Sequence, residues 1–150
     1  MRLRAPIAFL FALALGACAG EPPPAASAKI HRLAVQVSVN DPAQINLALN
    51  NVANVAKHYG DLGQEVEIEI VAYGPGLHML REDTSPVKAR VKSIAESVPG
   101  VTFMACQNTV DNMTKAEGKP VPVMKEAKST PTGVARLMEL QENGWSYVRP

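Results

Sequence analysis

Val101-Thr102-Phe103-Met104-Ala105-Cys106-Gln107-Asn108-Thr109 passes from an apolar run into a polar stretch within one residue. Val, Thr and Phe favour a strand. Asn108 or Thr109 can cap a following helix, expected over Val110 to Ala116. A strand that feeds a helix directly is the building unit of parallel α/β sheets. The same reading puts Cys106 at the carboxyl edge of a sheet, where open α/β folds place their ligands. Helix N-terminal amides there carry partial positive charge and favour thiolate over thiol. Cys106 is therefore a candidate nucleophile or sulfur carrier. A buried, inert cysteine is the competing reading, and the commoner one for this residue type.

Upstream, the alternation holds. Leu33-Ala34-Val35-Gln36-Val37 reads as a first, central strand. Asn40-Asp41-Pro42 starts a helix, with Asp41 as N-cap and Pro42 at the first helical position. Ile45, Ala48, Leu49, Val52, Val55, Ala56 and Tyr59 form its buried stripe, and Gly60 and Gly63 end it. Val66, Ile68 and Ile70 alternate with Glu65, Glu67 and Glu69, the pattern of a strand with one wet face, expected at a sheet edge. Val71-Ala72-Tyr73-Gly74-Pro75-Gly76 follows, with a tight turn that brings backbone close to whatever lies above the sheet. Leu77 to Leu80 reads as a short helical turn, and Ser85-Pro86 caps a helix over Val87 to Ser97. Pro99-Gly100 then turns into the Cys106 strand.

Downstream the signal weakens. Gly118, Pro120 and Pro122 break structure, and Lys115, Lys119, Lys125 and Lys128 read as a solvated basic loop, with an anion-binding lip as the weaker reading. A fourth strand is expected near Glu126 to Thr130. Thr130-Pro131 caps an amphipathic helix with Val134, Leu137, Met138 and Gln141 on one stripe, ended by Asn143-Gly144. Trp145 to Val148 is a last strand, with Trp145 and Tyr147 on one face. The expected class is α/β: a three-layer α/β/α domain on a mostly parallel five-stranded sheet.

The N-terminus speaks to destination. Arg2 and Arg4 precede an apolar core, Ala5 to Leu15, which is shorter than the roughly 20 residues of a transmembrane helix. Residues 1–18 are read as a signal peptide and 19–29 as a flexible Pro/Ala tether, leaving 30–150 as one domain. Leu15-Gly16-Ala17-Cys18 resembles a bacterial lipobox, in which Cys18 is lipidated, while Ala17-Cys18-Ala19 also satisfies ordinary cleavage. Both routes export the chain and remove Cys18 as a partner for Cys106. The domain then carries one free thiol in an oxidising compartment. Fifteen Lys and Arg stand against fourteen Asp and Glu, and loss of Arg2 and Arg4 leaves the chain one charge to the acidic side. No basic surplus points to nucleic acid.

His31, His58 and His78 show no metal-ligand spacing. His78, just past Gly74-Pro75-Gly76, is the one placed to approach Cys106, as an acid, base or charge partner; an exposed loop histidine is the plainer reading. Met79, Met104 and Met113 read first as core filler. Together with Cys106 and His78, a nearby Met would offer soft ligands for Cu(I). Asn46, Asn50 and Asn54 line one side of the first helix, as a solvated face or, second, a subunit contact.

Asn46-Leu47-Ala48-Leu49-Asn50-Asn51, Val71 to Gly76, Val101 to Thr109 and Leu140-Gln141-Glu142-Asn143-Gly144-Trp145-Ser146-Tyr147 together resemble the DsrE/DsrF-like family of sulfur-relay proteins. The resemblance spans roughly Ile30 to Pro150. It implies a compact α/β/α domain, often a homo-trimer or homo-hexamer, and a cysteine at the position of Cys106 that carries sulfur as a persulfide without an organic cofactor. Family members that relay sulfur do so in the cytoplasm beside partner subunits, and Met124 to Lys128 is more polar than the family pattern. Persulfide chemistry needs donors around the sulfur. Asn108, Thr109 and the amides after Cys106 are the candidates, with Gly74 and Gly76 as an opposite wall and His78 nearby. Capping alone accounts equally well for Asn108 and Thr109, and a turn for the glycines. The expected function is an exported, membrane-tethered or periplasmic sulfur carrier that meets a sulfur donor and acceptor. Its rivals are a thiol-independent homo-oligomeric binding module and a Cu(I) binder.

Overall fold

The computed structural model describes residues Ile30–Pro150. The signal peptide, the lipobox Cys18 and the tether through residue 29 lie outside the described residues. The strands are β1 (His31–Val37), β2 (Val66–Ala72), β3 (Val101–Cys106), β4 (Ala127–Thr130) and β5 (Ser146–Val148). The helices are α1 (Pro42–Asp61), α2 (Lys88–Ser97), α3 (Gln107–Glu117) and α4 (Gly133–Glu142), with a 3-10 helix at Gly74–Leu80. All strands are parallel, in the order β4-β3-β2-β1-β5.

Period-two alternation sorts the strand residues into two cores. Val35, Val37, Ile68, Ile70, Ala72, Phe103 and Ala105 face the layer built from α1, the 3-10 helix and α2, against which Val110 and Met113 of α3 also pack. Ala34 and Val71 face Leu137 and Leu140 of α4, with Tyr73, Met104 and Trp145 around them. Three helices thus cover one face and one covers the other, and each buried Leu, Ile or Val contributes about 1.5–3 kcal/mol of transfer free energy. The three-layer α/β/α reading holds, and the sheet is parallel throughout.

Strand positions differ from the expectation in two places. β1 lies second from one edge, beside β5, and the central strand is β2. The acidic alternation of β2 does not mark an edge. Glu69 is 6% exposed and faces α4, where Arg136 grips it in a two-point ion pair at 2.7 and 2.8 Å. Glu67, at the amino end of the same face, pairs with Arg32 at 2.8 Å. A charge on an inner strand is tolerated when it is paired and hydrogen-bonded.

Helix starts also move. α3 begins at Gln107, three residues earlier than its sequence suggests, so Cys106 is its N-cap. α4 is capped by Thr132 and begins at Gly133, leaving Thr130 at the end of β4. Asp41 caps α1 as expected, its Oδ1 accepting from the Ala43 amide at 2.8 Å. Asn46 and Asn50 each accept from the Arg90 guanidinium, at 2.5 and 2.8 Å, so much of the asparagine row ties α1 to α2 within the chain. Tyr147 lies on the α4 face beside Ala34, donates from its hydroxyl to Gln36 and stays partly exposed. Trp145 packs with the same α4 cluster.

The stretch after α3 is held by a feature the sequence does not announce. Arg81 is 2% exposed and donates to both Asp83 and Glu117. Residues 80–82 and 122–124 lie antiparallel beside it, with the Glu82 amide on Pro122 O at 2.8 Å and the Met124 amide on Leu80 O at 2.9 Å. Glu126 has both carboxylate oxygens closed off from solvent and without a hydrogen-bond partner among the described residues.

Candidate functional site

Connections leaving adjacent β3 and β4 diverge: the first runs into α3 on the three-helix face, the second into α4 on the opposite face. That divergence makes the carboxyl end of the β3 and β4 pair a topological switch point, the place where open α/β sheets form a ligand crevice. Cys106 ends β3 and Thr130 ends β4, and the two are register partners. Alternation from Met104 puts both side chains on the α4 face. One step beyond the Ala72 and Ala105 pairing, Tyr73 falls beside Cys106 on that face. The strand ends therefore carry a row of Tyr73, Cys106 and Thr130.

Loops close over this row. The Asn108 amide, in the first turn of α3, donates to Pro131 O at 3.2 Å and draws the β4-to-α4 connection against α3. Ser129 donates from Oγ to Gln107 Oε1 at 2.9 Å on the opposite face of β4. The Gly74 amide donates to Thr109 Oγ1 at 3.0 Å, so Thr109, which is buried, fixes the turn after β2. A Cβ on Gly133 would stand 2.9 Å from Tyr73 Cβ, so glycine lets the first residue of α4 rest on the tyrosine. Gly74 itself has φ +52, a conformation that glycine adopts without strain.

The expected site residues divide. Cys106, Asn108, Thr109 and Gly74 converge on the carboxyl ends of β2 and β3; there the Asn108 backbone amide is committed to Pro131 O while its side chain is exposed, and Thr109 Oγ1 accepts from the Gly74 amide. Gly76 serves another contact: a Cβ there would stand 2.3 Å from Val37 O at the end of β1. His78 is half-buried and its Nδ1 bonds Thr84 Oγ1 at 2.7 Å. Met79 is core, and Met113 Sδ lies 3.8 Å from the Arg81 guanidinium. Met104 shares the Cys106 face two positions back. Among the described residues no group of three or more His, Cys, Asp and Glu side chains is placed to hold a metal ion.

Cys106 is 4% exposed and makes no side-chain capping bond to α3. The sulfur sits at the head of a helix whose amides supply positive potential. Thr130 and Tyr73 were not legible as neighbours of Cys106, because a parallel register joins residues many positions apart; Thr130 reads in sequence as a helix cap. A strand ending at Thr130 in register with one ending at Cys106 is the signal that pairs them.

No family model and no curated protein matches the chain. A solved structure does: MTH1491 of Methanobacterium thermoautotrophicum, described as a protein of unknown function, is 30% identical, with a TM-score of 0.67. The match covers 80% of this chain and 99% of that one. With this identity over nearly the whole of the other protein, the chain belongs to the same family as MTH1491.

Proposed function

We propose that this chain is an exported DsrE-like sulfur carrier that holds sulfur as a persulfide on Cys106. The observation that carries the reading is the position of Cys106, the N-cap of α3 at a sheet switch point. The sequence blocks that resemble the DsrE/DsrF-like family support the same chemistry. The Cys106 thiolate attacks the outer sulfur of a donor R–S–SH. A bond forms between the Cys106 sulfur and the outer sulfur, the donor S–S bond breaks, and R–S⁻ leaves with the electron pair. An acceptor thiolate then takes the outer sulfur by the same exchange and regenerates the Cys106 thiolate. No external oxidant is consumed.

In this reading the chain is exported by residues 1–18, with Cys18 lipidated or cleaved, and meets the membrane only through that lipid. Copies assemble as a trimer or hexamer, and Val134 and Met138, one turn apart and half-exposed on α4, supply apolar surface for the contact. Incubation with a persulfide donor under anaerobic conditions, followed by intact mass, tests the carrier. Sulfur added to the wild type and absent from Cys106→Ser supports it. A wild type that gains no sulfur overturns it.

A further inference from the structure

We infer that the free edge of β4, with the groove beside it, docks an extended acidic segment of a partner protein. β4 closes one side of the sheet, and among the described residues β3 is the only strand it pairs with. An unpaired edge offers main-chain donors and acceptors to an incoming strand. Beside it, on the three-helix face, lies a groove of about 270 Å³ whose apolar lining includes Ala105, Val110, Val123 and Ala127. Cys106 belongs to the other face, so this surface is separate from the switch-point crevice and does not depend on the sulfur chemistry.

Charge selects the occupant. Lys57, Lys88 and Lys92 pair with Asp61 or Glu82. Lys125 and Lys128, exposed at the groove, pair with no acid among the described residues. Acids on the adjoining chain do not meet them: Glu117 holds Arg81, Asp111 accepts from Gln107 Nε2 at 2.8 Å, and the Glu126 carboxylate is closed off from solvent. A segment that brings carboxylates supplies the missing partners. Strand alternation sets its pattern: side chains on the face of Ala127 and Ser129 enter the groove and are small or apolar, and those on the face of Lys128 are acidic. A second copy of β4 fits the edge poorly, because antiparallel pairing brings the lysines of one strand toward those of the other.

The probes are two fluorescein-labelled peptides, one alternating Glu with Val and the other alternating Lys with Val, titrated with the full chain and followed by anisotropy. The wild type is expected to bind the Glu peptide over the Lys peptide, more weakly as salt rises. Lys125→Glu with Lys128→Glu is expected to weaken the Glu peptide about tenfold and to take up the Lys peptide instead. Thermal unfolding is the fold control, and Lys125→Ala with Lys128→Ala replaces the reversal if that variant fails to fold. Amide hydrogen exchange with the Glu peptide bound should slow at residues 127–130. A wild type that binds neither peptide, binding that survives the lysine changes, or protection confined to another element overturns the inference. A peptide-free chain that sediments as an oligomer with β4 already protected overturns it in favour of a second copy on the edge.

Discussion

Cys106 and Thr130 are register partners whose chains leave the sheet toward opposite faces, so the thiol stands where two connections part. The start of α4 rests on Tyr73, the third member of the row, through Gly133. Gly133→Ala would drive a Cβ to 2.9 Å from Tyr73 Cβ and push the two apart. Alkylation of Cys106 by a small reagent should rise severalfold, at a stability cost of about 1–3 kcal/mol for overpacking. Thiol labelling with parallel thermal melts checks both. An unchanged labelling rate would show that this contact does not control access to the sulfur.

Arg81 gives the stretch around β4 an acid-sensitive clasp. Hydrogen bonds from the guanidinium hold the Asp83 carboxyl down at about 2 and lower that of Glu117 for the same reason. A depressed carboxyl contributes stability above its unfolded value, about 4. That contribution is lost as pH falls from about 5 toward 2, because protonation releases the arginine. Urea midpoints across this range should fall for the wild type. Arg81→Met, which lacks the charge, should be less stable at neutral pH and flatter in its acid response.

Glu69 and Arg136 bridge the central strand to the one helix on the second face. Arg136→Leu would leave the Glu69 carboxylate buried on the sheet without its partner. Loss of one member of a buried pair costs about 3 kcal/mol. The double change Glu69→Leu with Arg136→Leu should regain much of that loss, since an apolar pair of similar size avoids desolvating charge. Chemical denaturation of the three variants reads the difference directly.

Alternating patterns carried much of the fold into the sequence: Asp41-Pro42 opens α1 as read, and Val101 to Cys106 is β3. Strand order was not legible, because Glu69 looks like a wet-face residue until Arg136, 67 positions away, neutralises it. The α3 start was misplaced for a related reason. Thr109 has the side chain of a good N-cap, but a tertiary contact claims its hydroxyl for the Gly74 amide. Cys106, Asn108, Thr109 and Gly74 could be grouped from sequence since they flank two strand ends. Gly76 instead serves β1 and His78 bonds Thr84, contacts that depend on the course of the 3-10 helix rather than on local pattern.

Sulfur uptake at Cys106 is the central claim, and intact mass after anaerobic incubation with a persulfide donor tests it most directly. The wild-type domain should gain about 32 Da per sulfur, reversibly under reductant, and Cys106→Ser should gain nothing. A wild type that keeps its starting mass, or a gain that survives in the serine variant, would contradict the account.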